Sequence, residues 1–195
     1  MIKIATEANV GEILEIYAFY VKNTAISFEW DVPEPEEFRE RIRNTLKRYP
    51  YFVYVQEGKI LGYAYAGPFI WRSAYDWAAE ATIYVAPDQR KNGIGRELYR
   101  ALETALRLQN VINVNACIGY PAQGDDEYLT KNSVQYHEHM GYRLVGQFHK
   151  CGYKFGRWYD MVWMEKCLSN HPDVPERVKP FDEIRDTLFI EYGIS

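Results

Sequence analysis

The stretch "ATIYVAPDQRKNGIGRELYRALETAL", residues 81–106, restricts this chain more than any other. An apolar run ends at Val85, a proline-marked turn follows, and a helical pattern starts at Ile94. Leu98, Ala101, Leu102, Ala105 and Leu106 recur at helical spacing, which predicts a helix over Ile94–Gln109 with those residues inward. Gly93 and Gly95 stand where the helix begins, with Arg90 and Lys91 before them and Arg96 after. The first amides of a helix have no intrahelical acceptor, and the helix dipole is positive at that end. Glycines remove the Cβ atoms that keep a ligand away from those amides. Arg90–Arg96 therefore reads either as a phosphate cradle or as a glycine-bearing turn with a solvated charged rim. It has neither the three glycines of a dinucleotide fingerprint nor the Gly-Lys-Ser/Thr ending of a P-loop.

Around this unit the pattern mixes strands and helices. Ile2–Ala5 reads as a strand. Asn9 is expected to cap a helix through Val10, Ile13, Leu14, Tyr17, Tyr20 and Val21, with Glu12 completing a capping box. Glu34–Arg48 reads as a second helix, with Phe38, Ile42 and Leu46 on one face. Tyr51–Val55 and Ile60–Ala66 read as strands joined by a hairpin at Gly58. Ala79–Val85 and Val111–Ile118 are further strands, and Gly119–Lys131 a long polar loop. Ser133–Met140 is a short helix closed by Gly141. Tyr142–Cys151 and Trp158–Cys167 form a last hairpin across "GYKFGR". This predicts an α+β fold on one mixed sheet with helices on its faces. Residues 1–168 are expected to form the single domain. Pro172, Pro175 and Pro180 mark 169–195 as a tail over the surface, ending in a short helix near Phe181–Ile190.

Composition excludes several classes. A net charge of −4 with a pI near 5.6 argues against a nucleic-acid binder. No apolar run reaches the roughly 18–20 residues of a membrane span. No secretory leader is apparent at the N-terminus, so a cytoplasmic location is expected. Cys117, Cys151 and Cys167 are odd in number and scattered; they read as reduced, non-catalytic thiols, and no metal site is expected.

"QRKNGIG" resembles the Arg/Gln-x-x-Gly-x-Gly/Ala loop of the GNAT acetyltransferases. With "ATEAN", "RYPYFVYVQEGKILGYAYAGP", "AYDWAAEATIYVAPDQRKNGIG", "ACIGYP", "SVQYHEHMGY" and "GYKFGRWYDMVWME", the chain is similar to the phosphinothricin acetyltransferase family over roughly residues 3–166. That resemblance implies a sheet splayed at its centre, with acetyl-CoA in the opening and its pyrophosphate on the amides of Arg90, Lys91, Asn92, Gly93, Ile94, Gly95 and Arg96. It places Ile83, Tyr84 and Val85 beside the cofactor, with a backbone N–H near Val85 facing the oxyanion. It implies a homodimer acting on a small amine, with Phe28, Arg72, Tyr75 and Tyr84 lining the acceptor pocket. Two features depart from the family. Thr130 stands where Asn is usual, and the loop carrying "AQGDDEYLT" is longer.

Acetyl transfer to an amine needs a base, because an α-amine has a pKa of roughly 8. Glu80, which matches the family's proposed base, has Trp77, Ala79, Ala81 and Ile83 around it in sequence. On the residues alone it reads rather as a solvated strand-end carboxylate. His137 matches the position of a thiolate proton donor, given an imidazole near its free pKa of about 6.5; its other reading is a surface histidine. Trp71 and Trp77 are expected to pack. Lys154 and Arg157 read either as helpers for an anionic acceptor or as a charged hairpin tip. The alternatives to a small-molecule N-acetyltransferase are an enzyme acting on a peptide or protein N-terminus, for which "GDDEY" could line an acidic groove, a non-catalytic acetyl-CoA sensor, and a generic nucleotide-binding domain.

Overall fold

Alternating apolar residues along β2 (Tyr51–Gln56) and β3 (Lys59–Pro68) form a hairpin in the computed structural model, which describes residues 1–195. Its turn is Glu57–Gly58, both at positive φ (51° and 78°), between the paired residues Gln56 and Lys59. Such two-residue turns match the right-handed twist of the strands they join. β1 (Ile2–Ile4) pairs antiparallel with β2, and β4 (Ala78–Val85) antiparallel with β3. The remaining elements are α1 (Val10–Asn23), α2 (Pro35–Leu46), α3 (Ile94–Leu108), β5 (Asn113–Tyr120), α4 (Asn132–His139), β6 (Arg143–Lys154), β7 (Arg157–Cys167) and α5 (Arg185–Tyr192). This is a mixed α+β fold of seven strands with flanking helices.

The chain divides into two compact units. The first holds Met1–Ile16, Pro33–Val114 and Cys167–Ser195; the second holds Tyr17–Val32 and Asn115–Lys166. In the first, the strand order is β1-β2-β3-β4. One sheet face carries Phe52, Gly62, Ala64, Ala66, Ala81 and Ile83. α3 packs there with Leu98, Tyr99, Leu102, Ala105 and Leu106 buried. The opposite face carries tyrosines. Tyr51 stacks on Tyr65 (centroids 4.8 Å apart) and on Tyr63 (5.8 Å), and Tyr63 lies 5.5 Å from Tyr84. In the second unit β6 and β7 pair from Arg143↔Glu165 to Lys154↔Arg157 around a two-residue turn at Phe155–Gly156.

Two local expectations are corrected. Asn9 does not cap α1 forward. A 3-10 turn over Glu7–Asn9 precedes α1, and the Asn9 Oδ1 accepts from the backbone N–H of Thr6 at 2.8 Å. Glu12, freed from a capping role, accepts from the backbone N–H of Ile60 at 2.8 Å and ties α1 to β3.

The segment 169–195 is not a surface tail. Phe181, Ile184, Leu188 and Ile194 are buried, and Phe181 meets Phe52 edge-on at 6.1 Å. Gln109 Nε2 donates to Lys179 O at 2.8 Å, Trp77 Nε1 to Glu176 O at 2.7 Å, and Ile4 N to Ser195 O at 2.7 Å. The tail completes the first unit's core. Phe181→Ala should therefore destabilise the protein by about 3–5 kcal/mol, the usual loss for a buried phenylalanine. Urea denaturation reads this, and a loss below about 1 kcal/mol would show that the tail is peripheral.

Candidate active site

Glu80 lies near the start of β4, directly across from Gly67 on β3. Its side chain shares the sheet face of the paired residues Tyr65↔Thr82 and Tyr63↔Tyr84. Burial alone raises its pKa; no charged neighbour or hydrogen bond contributes. A solvated strand-end carboxylate would show no such shift, so that simpler reading does not describe Glu80.

β4 leads through Pro87–Gln89 into the glycine loop. Gly93 sits at the α3 N-cap in the left-handed region (φ 83°, ψ −9°), and Lys91 shares that region at φ 68°. The first backbone bond of α3 runs from Glu97 N to Gly93 O (3.2 Å). The amides of Ile94, Gly95 and Arg96 therefore precede any helical acceptor. A Cβ built on Gly93 would meet nothing within 4 Å. Arg90, Lys91, Asn92 and Arg96 are exposed around it. Charge, open space and unsatisfied amides together fit an anionic group the size of a pyrophosphate. Ile83, Tyr84 and Val85 are the last residues of β4, and Val85 pairs with Gly62.

Arg72 and Tyr75 lie in the segment between β3 and β4. A 3-10 turn at Ser73–Tyr75 orders them, and an Arg48–Asp76 ion pair of 2.8 Å holds its end. Tyr75 meets Phe69 edge-on at 6.0 Å. Trp71, expected to pack, is instead 87% exposed, while Trp77 anchors the tail.

Phe28 and His137 belong to the second unit. Phe28 packs against Ala25, Leu129 and Tyr159. A Cβ on Gly152 would fall 2.6 Å from its Cζ, so that glycine seats its ring. His137 is only 3% exposed, between the ring edges of Tyr136 and Tyr142. Its Nδ1 lies 2.7 Å from Ser133 O, so the neutral ring carries its proton on Nδ1. Burial lowers its pKa to about 4, against the smaller upward effect of the Ser133 carbonyl. An imidazole near 6.5 was expected; this one is neutral at physiological pH, with its only proton engaged.

The hairpin tip is also corrected. Lys154 is 3% exposed, because the turn is two residues long and leaves Lys154 in β6. Its ammonium donates to Val21 O (2.8 Å), Thr24 O (3.0 Å) and Ser27 O (2.7 Å), which uses all three protons. Arg157 pairs with Asp126 (3.0 Å) and Glu127 (2.8 Å). Neither cation is left for an acceptor's anion. The acidic loop is equally committed. Asp126 Oδ1 accepts from the N–H groups of Tyr128 and Leu129, its Oδ2 from the Tyr159 hydroxyl, and Asp125 from Lys131 N–H. Period-2 alternation along "CGYKFG", which sets Gly152 and Lys154 on one face, was the available signal for Lys154.

The sequence matches the family model described as acetyltransferase (GNAT) domain over residues 2–163. It is 32% identical over 183 residues to a phosphinothricin N-acetyltransferase of Streptomyces viridochromogenes, covering 94% of this chain and 95% of that one. Its fold is similar to a GNAT superfamily phosphinothricin acetyltransferase from Sinorhizobium meliloti in complex with AcCoA, with a TM-score of 0.81, 28% identity, and 93% and 97% of the two chains covered. It is also similar to a ribosomal-protein-alanine N-acetyltransferase from Brucella melitensis, with a TM-score of 0.78, 31% identity, and 86% and 99% covered.

The buried imidazole gives a pH test. The folded protein keeps His137 neutral down to about pH 4, whereas the unfolded chain protonates it near 6.5. Its contribution is present above 6.5 and lost as pH falls through that window, by as much as about 3 kcal/mol. NMR should show no titration of this ring between pH 8 and 5. A midpoint near 6.5 would mean the ring is solvated.

Proposed function

The chain belongs to the GNAT acetyltransferase family, and from that premise we propose that it transfers the acetyl group of acetyl-CoA to the amine of a small amino-acid-like acceptor, with Glu80 as general base. One observation carries this reading: a carboxylate raised by burial lies on the strand that runs into the anion-ready start of α3. Five residue steps of extended chain, at roughly 3.4 Å each, separate Glu80 from the strand end at Val85. That run suits an extended pantetheine arm between a pyrophosphate on the loop and a reacting carbon near Glu80.

When bound, acetyl-CoA supplies a thioester carbon that an amine can attack, forming the C–N bond and breaking C–S. The amides of Ile94, Gly95 and Arg96 hold its phosphates, and Arg90, Lys91 and Asn92 add charge and donors. Glu80 takes the proton that the amine must lose. Its raised pKa brings it nearer the roughly 8 of an α-amine, which makes that transfer less uphill than to an ordinary carboxylate. Tyr84 lies on the face of Glu80, and Arg72 and Tyr75 precede β4; these are the first-unit residues we assign to the acceptor. Phosphinothricin, methionine sulfoximine and ordinary amino acids are the acceptor class. His137, as found, suits a packing and hydrogen-bonding role better than that of a proton donor.

The similarity to a ribosomal-protein-alanine N-acetyltransferase supports a second reading, a peptide N-terminus as acceptor. The engaged Asp125, Asp126, Glu127 and Arg157 count against it, because the loop read as an acidic groove satisfies its own charges. The three cysteines are thiols, in keeping with a reducing cytoplasm. A homodimer is part of the proposal: Trp30, Tyr153 and Trp158 form an exposed aromatic strip with centroids 6.4 and 5.0 Å apart. Light scattering should give twice the chain mass, and a monomer at micromolar concentration would remove that part.

Thiol release from acetyl-CoA, with amino-acid analogues and short peptides as acceptors, tests the reaction. Glu80→Gln should lower turnover roughly 100- to 10,000-fold and leave the KM for acetyl-CoA unchanged. The wild-type rate should fall as pH drops through the raised Glu80 pKa, because protonation removes the base. Raised in the folded state, this carboxyl favours folding when protonated and loses that contribution as pH rises, so Glu80→Gln should not lower Tm at pH 7. Near wild-type turnover in that variant would refute the assignment.

A further inference from the structure

A glycine inside a strand has three ordinary reasons: a left-handed φ, close packing against the protein, or close approach of a ligand. Gly62 on β3 has the second. A Cβ there would meet Tyr84 O at 3.1 Å, Ile94 Cγ2 at 3.3 Å and Leu98 Cδ1 at 3.3 Å. Gly67, five residues further along β3, has neither of the first two. Its φ is not in the left-handed region, and a Cβ built on it meets nothing within 4 Å. The protein does not need glycine here for its own packing.

What distinguishes Gly67 is its partner. It pairs with Glu80, and paired residues of an antiparallel sheet project to the same face with Cβ atoms about 4.5–5.5 Å apart. The open space at Gly67 is therefore the space beside the Glu80 carboxylate. On the same face the next pair is Tyr65↔Thr82, and Tyr65 is backed by Tyr51 at 4.8 Å. The floor beside Glu80 is thus bare backbone with an aromatic wall on one side. Gly11 and Gly146 also have empty surroundings, but Gly11 lies in α1 and Gly146 at the irregularity in β6, and neither faces a carboxylate of raised pKa.

We infer that Gly67 is a specificity-determining residue: its missing side chain leaves room for the α-carbon and first side-chain atoms of the acceptor while its amine meets Glu80. This rests on the reading of Glu80 as the base. An amine within hydrogen-bonding reach of that carboxylate carries its α-substituents against whatever flanks the carboxylate, and across the strand that is Gly67. A side chain added there would occupy the acceptor's volume without touching the rest of the protein. The phosphate loop at Arg90–Arg96 lies at the other end of β4 and would not be disturbed.

Gly67→Ala and Gly67→Val test this with unusual freedom from folding artefacts, because extended backbone and empty space accept both. Each variant should keep wild-type Tm and wild-type KM for acetyl-CoA. The kcat/KM for acceptors substituted at the α-carbon should fall roughly 10- to 200-fold for Ala, and further for Val. Glycinamide, with no α-substituent, should be affected least, so the variants shift selectivity as well as rate. Equal losses for all acceptors, or none, would overturn the inference. Should Val perturb Tm, the Ala variant alone decides. Glu80→Gln measured alongside separates the two ideas. If Gly67→Ala is silent while Glu80→Gln loses turnover, the base stands and the inference fails. If both are silent, the base reading has failed as well.

Discussion

The contact between α3 and the sheet at Gly62 sets the geometry on which the candidate site depends. The space that a side chain would fill there is occupied by Tyr84 O, Ile94 and Leu98. Tyr84 belongs to the end of β4, and Ile94 is the first residue of α3. One glycine thus fixes where the strand stops and where the helix starts. The connection between them has only to turn, and Gly93 in the left-handed region lets it do so. Ala64, Ala66 and Ala81 continue the same small-residue face. On β3 the bulk stands on the other side, and there lie the tyrosines and Glu80. The buried helix face and the perturbed carboxylate are consequences of one division of large and small residues between two faces.

That division was legible in the sequence because its signals are local. Period-2 alternation in "YAYAGP" and "EATIYV", then helical spacing from Ile94, give the strand, turn and helix without tertiary information. Lys154 was misread because a cation in "GYKFGR" looks like a hairpin tip. Only the turn's true length, two residues at Phe155–Gly156, places it inside. The tail was misread through its prolines, although Phe181, Ile184 and Leu188 recur at helical spacing and are all buried. Asn9 could not be resolved at all from propensity. Asparagine suits both ends of a capping box, and only the 3-10 turn over Glu7–Asn9 decides which end it takes. Burial of His137, too, depends on tyrosines brought to it by packing rather than by spacing alone.

Lys154 shows how a loop can be held without secondary structure. The carbonyls of Val21, Thr24 and Ser27 follow or end α1, where helix carbonyls lack intrahelical donors. A neutral amide could satisfy two of them at most, whereas an ammonium satisfies all three and complements the helix dipole. Burial pushes its pKa down, and Glu29 works in the other direction. The same β6 face seats Phe28 over Gly152. Phe28 and the segment before it are therefore held by one face of one strand.

Glu80 and His137 are both driven by burial toward their neutral forms, yet that common cause leads to opposite chemistry. A neutral carboxyl is the protonated state, so raising its pKa makes Glu80 a better acceptor for a proton leaving an amine. A neutral imidazole is the deprotonated state, so lowering its pKa to about 4 removes the donor a departing thiolate could have used. On the proposed reading this loss is tolerable. A thiol with a pKa of roughly 8.5 is only about 1.5 units from neutrality, so it can depart as the anion at a cost of about 2 kcal/mol relative to the protonated form. The attacking nitrogen becomes cationic as the C–N bond forms and must lose a proton before a neutral amide can result. On that reading the step that needs a side chain is proton removal, and the burial that raises Glu80 suits it to that step. On the same reading Glu80 would then hold the proton that the thiolate lacks, and its return would reset the carboxylate for the next acceptor.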